Sequence, residues 1–579
     1  MKKHFKKVLG LVLSAILTFG AFSAIGCGKR IENITDDSKT QLYVGLIENG
    51  YGRAWLDAVI EKFESKYANF QLNGKTGVQI VVDPLTDYGL NLQPKLKSIR
   101  SQIIFDGEMV YNDYVAKGDM VDITDAVQDN LTQFGENESI EDKMDESSRN
   151  TFKVNGKYYA LPYAFSNFGI TYNKDMFNDN GFYFAAQDPD TGNYAAKKDG
   201  NVYIFIDRNN KVKSAGPDGK TGVINGVDYS IDDGLPATFE QFFALCNRIK
   251  GVQGYIPVFW AGKYQNYVNE FLSALWANIE GKDEMELNYS MNGTAHDLVE
   301  VAANGTVTKI GDTAITEKNG YELYKQQGRY YALKFLEGIV KDNECYFEND
   351  NSHTQSQNYF IRSGISAGYK NIAMFIEGMY WENEARATFA SMAKDDPSLS
   401  RENRNFGWMP FPKVSEEEIG ASNTIVPSTA LLMFLNPHKL NDSALIKLAK
   451  EFIQFFHTRE NLADFTVKTS LSKPYFKYEL TESERSAMSN LGREIYDYCN
   501  NAEMVNVLPC KVVSANFTTF GFTQRNLWYS AGLTNSFAVD ELKKESVTAK
   551  SYFEGIYRYY SSTWKNIYEA AYGSGSFNV

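Results

Sequence analysis

The sequence predicts an α/β protein of more than one domain, each domain a sheet with helices laid against it. Three observations carry this reading. Past an apolar leader, about 550 of the 579 residues remain, more than a single hydrophobic core organises. The start of that body reads strand, loop, helix, strand, the opening of an α/β layer. Beyond the leader, charged residues interrupt every apolar stretch, so none reaches the roughly 18 residues of a membrane span.

The leader comes first. Lys2, Lys3, Lys6 and Lys7 precede an uncharged run over 8–25. A basic start, a short apolar middle and small residues at the end make a secretory signal. Ala24-Ile25-Gly26-Cys27 then resembles a bacterial lipobox, with Ala24 where Leu is usual. That resemblance implies cleavage after Gly26 and acylation of Cys27. Residues 1–26 are thus read as a lipoprotein signal peptide, and 27–40 as a polar, lipid-tethered stalk. The competing reading is an uncleaved anchor helix with an incidental cysteine. Either places the body outside the membrane, at the outer face of the cell membrane. Losing four lysines takes the formal charge from −13 to about −17, which disfavours nucleic acid and anionic lipid surfaces as partners. Cys246, Cys345, Cys499 and Cys510 form no C-x-x-C pair and no Cys/His cluster. They read as buried small residues, with a Cys499–Cys510 bridge as the alternative. No metal or cofactor is expected.

The body opens with Leu42, Val44 and Leu46 alternating as a strand. The turn Glu48-Asn49-Gly50-Tyr51-Gly52 follows, and then Trp55, Leu56, Val59, Ile60, Phe63 and Tyr67 at helical spacing. A second strand occupies 78–84. In open α/β sheets ligands gather at the carboxyl ends of strands, beside helix amino termini, and the loop 48–52 has that place. Its glycines match the first two of G-x-G-x-x-G and lack the third; with no Walker pattern present, a nucleotide loop is disfavoured.

Farther on, a turn at Asn155-Gly156 precedes an apolar run broken by Pro162, Ser166 and Asn167, then a strand and a helix start at 172–177. An acidic, Gly/Asn-rich stretch fills 183–236, with a hairpin turning at Asn209-Asn210. Thr238 with Gln241 reads as a capping box that opens a helix. Phe553, Ile556, Tyr557, Tyr560, Trp564 and Ile567 form a late helical stripe, read as core. Tyr and Phe number 37 and 38, a surplus that suits sugar- and peptide-binding surfaces because a flat ring covers apolar faces while its polar edge stays wet.

Several segments, taken in order, resemble one family. They are "LYVGLIENGYGRAWLDAVIEKFESKY" (42–67), "VYNDYVAKGDMVDITD" (110–125), "NGKYYALPYAFSNFGITYNKDMF" (155–177), "ATFEQFFALCNRIK" (237–250) and "GYIPVFWAG" (254–262). "SHTQSQNYFIRSGISAGYKNIAMFIEGMYWENEA" (352–385), "FGWMPFPK" (406–413) and "LAKEFIQFFHTRENLADF" (448–465) complete the set. Together they resemble the extracellular solute-binding proteins of ABC importers, family 1, the cluster that includes maltose- and oligosaccharide-binding proteins. The resemblance implies a periplasmic-binding-protein-like, two-lobed α/β fold with a multi-crossing hinge. Crossings fall near 162–170, 408–426 and 469–476. Lobe one is then 40–163 plus 412–470, and lobe two 164–411 plus 471–579, enlarged by the insertion at 183–236. It further implies a monomeric, non-enzymatic carrier that takes a saccharide, an oligosaccharide by this likeness, to membrane permease subunits, with ATP hydrolysis left to those partners.

A sugar offers apolar C–H faces and a rim of hydroxyls, so its site needs aromatic plates and polar side chains. By motif position the candidates are Asn49 and Tyr51 in the first loop, and Tyr111, Asn112 and Asp113 in the second. Ser166 and Asn167 lie at the hinge, Trp260 after the 254–259 strand, Tyr380, Trp381 and Glu382 in the "GMYWEN" stretch, and Trp408 near the second crossing. Of these, one ring of the pair Tyr380 and Trp381 is expected to be the sugar platform. Asn49 has a competing role as a helix cap.

Rival classes have weaker support. Gly364-Ile365-Ser366-Ala367-Gly368 matches the G-x-S-x-G elbow of hydrolases, with His438 and His457 downstream, but its flanks are polar. A surface-anchored glycoside hydrolase needs a positioned carboxylate pair, which 72 acidic residues supply by chance. Calcium in 183–236 lacks the D-x-[DN]-x-[DN]-G loop. A non-sugar polar ligand, or a module serving a sensor kinase or adhesin, are the remaining alternatives.

Overall fold

A computed structural model describes residues 35–578 except 49, 108, 110, most of 185–233, 343, 428–430, 508–509 and 517–535. The leader, Cys27, Asn49, the hairpin turn at Asn209-Asn210 and any calcium site in the insertion therefore lie outside the described residues.

Eleven strands organise the site. In chain order they are β1 (Thr40–Leu46), β2 (Val78–Pro84), β3 (Ile103–Gly107), β4 (Ala160–Ala164), β5 (Phe168–Asn173) and β6 (Tyr255–Phe259). β7 (Asn371–Gly378), β8 (Phe406–Met409), β9 (Asn423–Ile425), β10 (Leu431–Leu435) and β11 (Ala502–Met504) follow. The helices that matter here are α1 (Ala54–Lys66), α2 (Phe239–Lys250), α3 (Asn266–Glu280), α4 (His353–Arg362), α5 (Trp381–Glu384), α6 (Arg459–Thr469), α7 (Asn490–Asn500) and α8 (Ala549–Tyr572).

Two sheets result. The first has the order β2-β1-β3-β10-β4, with β1 parallel to both neighbours and β10 antiparallel to β3 and β4. The second is β6-β7-β5-β8, where β6 and β7 are parallel and β5 runs against β7 and β8. Helices cover both sheets, giving the two-lobed α/β fold. The chain leaves the first sheet after Ala164 and enters the second at Phe168. It returns between β8 and β10, pairing β9 with β11 on the way. It passes over again from α6, which packs on α1, to α7, which packs on β8.

Local chemistry explains these elements. Leu42, Val44 and Leu46 are all buried, and Trp55, Leu56, Val59, Ile60 and Phe63 form the inner stripe of α1. Trp55 anchors that stripe, its ring 5.2–6.0 Å from those of Phe105, Tyr163, Phe456 and Phe465. Tyr67 falls just beyond the helix as its C-cap, stacked on Phe63. On α2, Thr238 Oγ1 accepts the Gln241 N–H at 3.3 Å, while the Gln241 side chain reaches back to the N–H of Ala237, not to that of Thr238. The late stripe builds α8, where Trp564 donates its indole N–H to Glu317 O and Tyr560 stacks on Tyr324 at 4.1 Å. All four body cysteines are free, and Cys499 lies against Met379, so the Cys499–Cys510 bridge is not formed. Among the described residues no helix is long and apolar enough to cross a membrane.

Trp408, a candidate plate, is instead a hinge-side packing residue. Its indole lies over Gly169 of β5, where an added Cβ would sit 2.2 Å from the ring, and the Trp408 backbone N–H donates to Glu494 at 2.7 Å. Gly169→Ala is expected to destabilise the protein by about 1–3 kcal/mol through overpacking, read as a lower denaturation midpoint.

His457, beside the third passage, is fully buried, with Nδ1 2.8 Å from Ile453 O. Burial, then the neighbouring Lys473 amine, lowers its pKa to about 3. The folded state therefore keeps it neutral while the unfolded chain binds a proton near pH 6.5. Its contribution is complete above about pH 6.5 and is lost as pH falls towards 3, on the order of a few kcal/mol. His457→Gln is expected to flatten the fall in melting temperature between pH 6.5 and 4 relative to the parent.

Candidate functional site

Three segments converge where the two sheets meet. The loop after β1 comes from the first sheet and the turn after β7, with α5, from the second. The junction 165–167 joins them. Gly50 O accepts the Asn383 side-chain N–H at 2.9 Å, and the rings of Tyr51 and Tyr380 lie 5.8 Å apart. At the rim Arg386 reaches Glu48 at 3.5 Å. A Cβ on Gly50 would lie 2.8 Å from the Tyr380 ring, so glycine there lets the loop approach this closely. Behind Tyr380 stand Phe168 at 6.1 Å and, beyond it, Tyr267 of α3; Tyr475 packs edge-on against Phe165.

Polar groups share the junction. Ser166 sits beside the Tyr51 hydroxyl. Asn167 gives its carbonyl to the Met379 N–H at 2.9 Å and keeps a buried side-chain nitrogen without a protein partner. Glu377 on β7 accepts the Gly378 N–H with one oxygen, while its other oxygen is buried and unbonded. Glu384 accepts from the Gln357 amide at 2.6 Å and lies 3.6 Å from His353 Nε2. Burial raises the phenol pKa values of Tyr51 and Tyr380 and holds the Glu377 carboxyl well above the usual range. The two hydroxyls stay neutral at neutral pH and can both give and take hydrogen bonds.

Four sequence candidates thus meet here: Tyr51, Ser166, Asn167 and Tyr380. The other described candidates are placed elsewhere. Trp381 is sealed inside the second lobe among Phe360, Phe375 and Phe406, its indole N–H donated to Thr171 at 3.0 Å. Glu382 is buried and accepts from Ser489, the N-cap of α7; burial raises its pKa to about 7. Trp260 is buried in a stack on Tyr346. Tyr111 is a core residue whose hydroxyl donates to Phe152 O and accepts from the Tyr159 N–H. Asn112 is exposed, and Asp113 pairs with Lys117 one turn on. The cap position of α1 is Arg53, and Asn49 lies outside the described residues. Glu377, Glu384, Gln357, Tyr267 and Tyr475 were not legible beforehand.

The hydrolase motif builds no elbow. Residues 364–368 join helix α4 to strand β7, whereas an elbow runs from strand to helix. His438 is bonded to Asp119 and His457 is buried, both in the half of the chain built on the first sheet. Among the described residues no His/Cys/Asp/Glu group could hold a metal ion.

This architecture, two sheets with repeated passages between them and a ring-lined meeting point, is the fold of the two-lobed solute-binding proteins. Solved structures with this fold include the apo form of RafE from Streptococcus pneumoniae, 12% identical, covering 92% of this chain and 100% of that one, with a TM-score of 0.53. A chitin oligosaccharide binding protein is 17% identical, covers 91% and 99%, and has a TM-score of 0.51. The GacH receptor of Streptomyces glaucescens is 12% identical, covers 91% and 99%, and has a TM-score of 0.50. No protein-family model matches the chain, and no curated protein sequence matches it.

Proposed function

We propose that the chain is the lipid-anchored, extracellular substrate-binding component of an ABC importer, closing lobes 40–163 plus 412–470 and 164–411 plus 471–579 over a carbohydrate and presenting it to permease subunits. The observation that carries this reading is the Tyr51–Tyr380 pair, one ring from the loop after a strand of each sheet, with Ser166 beside the Tyr51 hydroxyl. Closure of two lobes follows from ligand contacts that only the closed form makes. Tyr51, Ser166, Asn167 and Tyr380 are the assigned ligand contacts, and Cys27 the lipid attachment site. The raffinose complex of RafE and the acarbose complex of GacH, both of this fold, lend support.

A thermal-shift screen over mono- and oligosaccharides tests it. A bound sugar at a hundred times its Kd adds about 2.7 kcal/mol of stability, seen as a raised Tm. A flat response over the panel refutes the saccharide reading, and release of shorter sugars on incubation would replace carrier with hydrolase.

A further inference from the structure

We propose that the loop 48–52 and the stretch 380–386 form a latch between the lobes, so that protein contacts, and not ligand alone, hold the closed form. This rests on the carrier reading above and says what sets its affinity.

The two glycines of Gly50-Tyr51-Gly52 have a use here that no phosphate loop supplies. A Cβ on Gly50 would meet the Tyr380 ring at 2.8 Å and Glu384 at 3.3 Å, the three nearest atoms to it all belonging to the second lobe. Gly52 has a φ of +66°, which side-chain-bearing residues rarely adopt, and the Arg386 guanidinium lies 3.1–3.3 Å from its Cβ position. A side chain at either place would hold the second lobe off. Bare backbone lets it grip the loop.

The grip is polar and connected. Asn383 is 6% exposed and donates its side-chain N–H to Gly50 O at 2.9 Å. Its side-chain oxygen accepts from Arg401 at 3.4 Å, and its backbone oxygen accepts from Arg386 at 3.2 Å. Arg386 in turn reaches Glu48 at 3.5 Å across the exposed rim, where an ion pair adds little. Glu48 and Gly50 belong to the first lobe, and the three partner side chains to the second. Parting the lobes therefore breaks both cross-lobe contacts. A bond made only on closing shifts the balance of open and closed forms whether or not ligand is present. The apparent Kd is the closed form's own Kd divided by the closed fraction of the free protein. The latch thus raises affinity for every ligand by one common factor and adds no specificity.

Three variants of the whole chain test it. Gly50→Ala wedges the contact from the first lobe, Asn383→Ala removes the buried bond from the second, and Glu48→Lys sets two cations face to face at the rim. Small-angle X-ray scattering without sugar reads closure, and isothermal titration with raffinose, maltotriose and chitotriose reads affinity. Gly50→Ala and Asn383→Ala are expected to enlarge the radius of gyration and to weaken Kd by about three- to ten-fold, by the same factor for each sugar that binds. Glu48→Lys should act in the same direction and lose its effect in about 1 M salt, where exposed charges are screened. An unchanged radius of gyration in Gly50→Ala and Asn383→Ala, or an unchanged Kd for a sugar that binds the parent, overturns the latch. A loss that differs between sugars also overturns it, because the substituted residue would then touch the ligand. If no sugar binds the parent, the scattering decides: larger variants keep the latch and remove the saccharide reading, and variants of equal size remove both.

Discussion

Trp381→Ala is expected to cost about 3–5 kcal/mol of folding stability, the value for a large buried ring removed from a core. Its side chain has no exposed surface and touches the rings of Phe360, Phe375, Phe389 and Phe406. Those residues come from α4, β7, β8 and the helix following α5, so the second lobe has little freedom to collapse into the space. The Thr171 hydroxyl on β5 also loses its indole partner, adding about 1 kcal/mol if no water replaces it. Chemical denaturation with the midpoint read by far-ultraviolet circular dichroism is the measurement. A loss below about 1 kcal/mol would mean that the ring is not in this core. The remaining folded fraction should still bind ligand, because the ring does not reach the meeting point of the lobes.

Tyr380→Ala should do the opposite. Tyr380 is half-buried between two loops, not enclosed by one core, so the expected loss of stability is no more than about 1–2 kcal/mol. Binding should fall by about 2 kcal/mol or more, roughly thirty-fold in Kd, as expected for a central aromatic contact. Tyr380→Phe keeps the ring and loses the hydroxyl, so it separates stacking from hydrogen bonding: retained affinity assigns the effect to the ring face. An unchanged Kd in both variants would remove Tyr380 from the site. The two neighbouring residues thus give a paired test in which stability and affinity move separately.

Much of the fold was legible because local rules and tertiary packing agree. The alternation at 42–46 and the stripe on α1 satisfy one sheet face and one helix face, and both are buried as the periodicity requires. The apolar run broken by Pro162, Ser166 and Asn167 covers β4 and the junction to β5, whereas a passage between sheets there was implied by the family resemblance and not by the run itself. The site was legible only in part. Aromatic identity flagged Trp260, Trp381 and Trp408 as plates, yet large rings lower their free energy most by complete burial, and all three are buried.

From its residues alone this chain determined an α/β layering and the helix stripes that cover its sheets, because these depend on spacing along the chain. The order of basic, apolar and small residues over 1–27 is likewise a property of sequence alone. Which of two adjacent rings faces the other lobe was decided only by tertiary structure. At the junction of β7 and α5 successive side chains diverge, and the packing of α4 and β8 around position 381 turns Trp381 inward and leaves Tyr380 opposite Tyr51. The same holds for Glu377 and Gln357, since an acceptor becomes unpaired only when every surrounding element has taken its place.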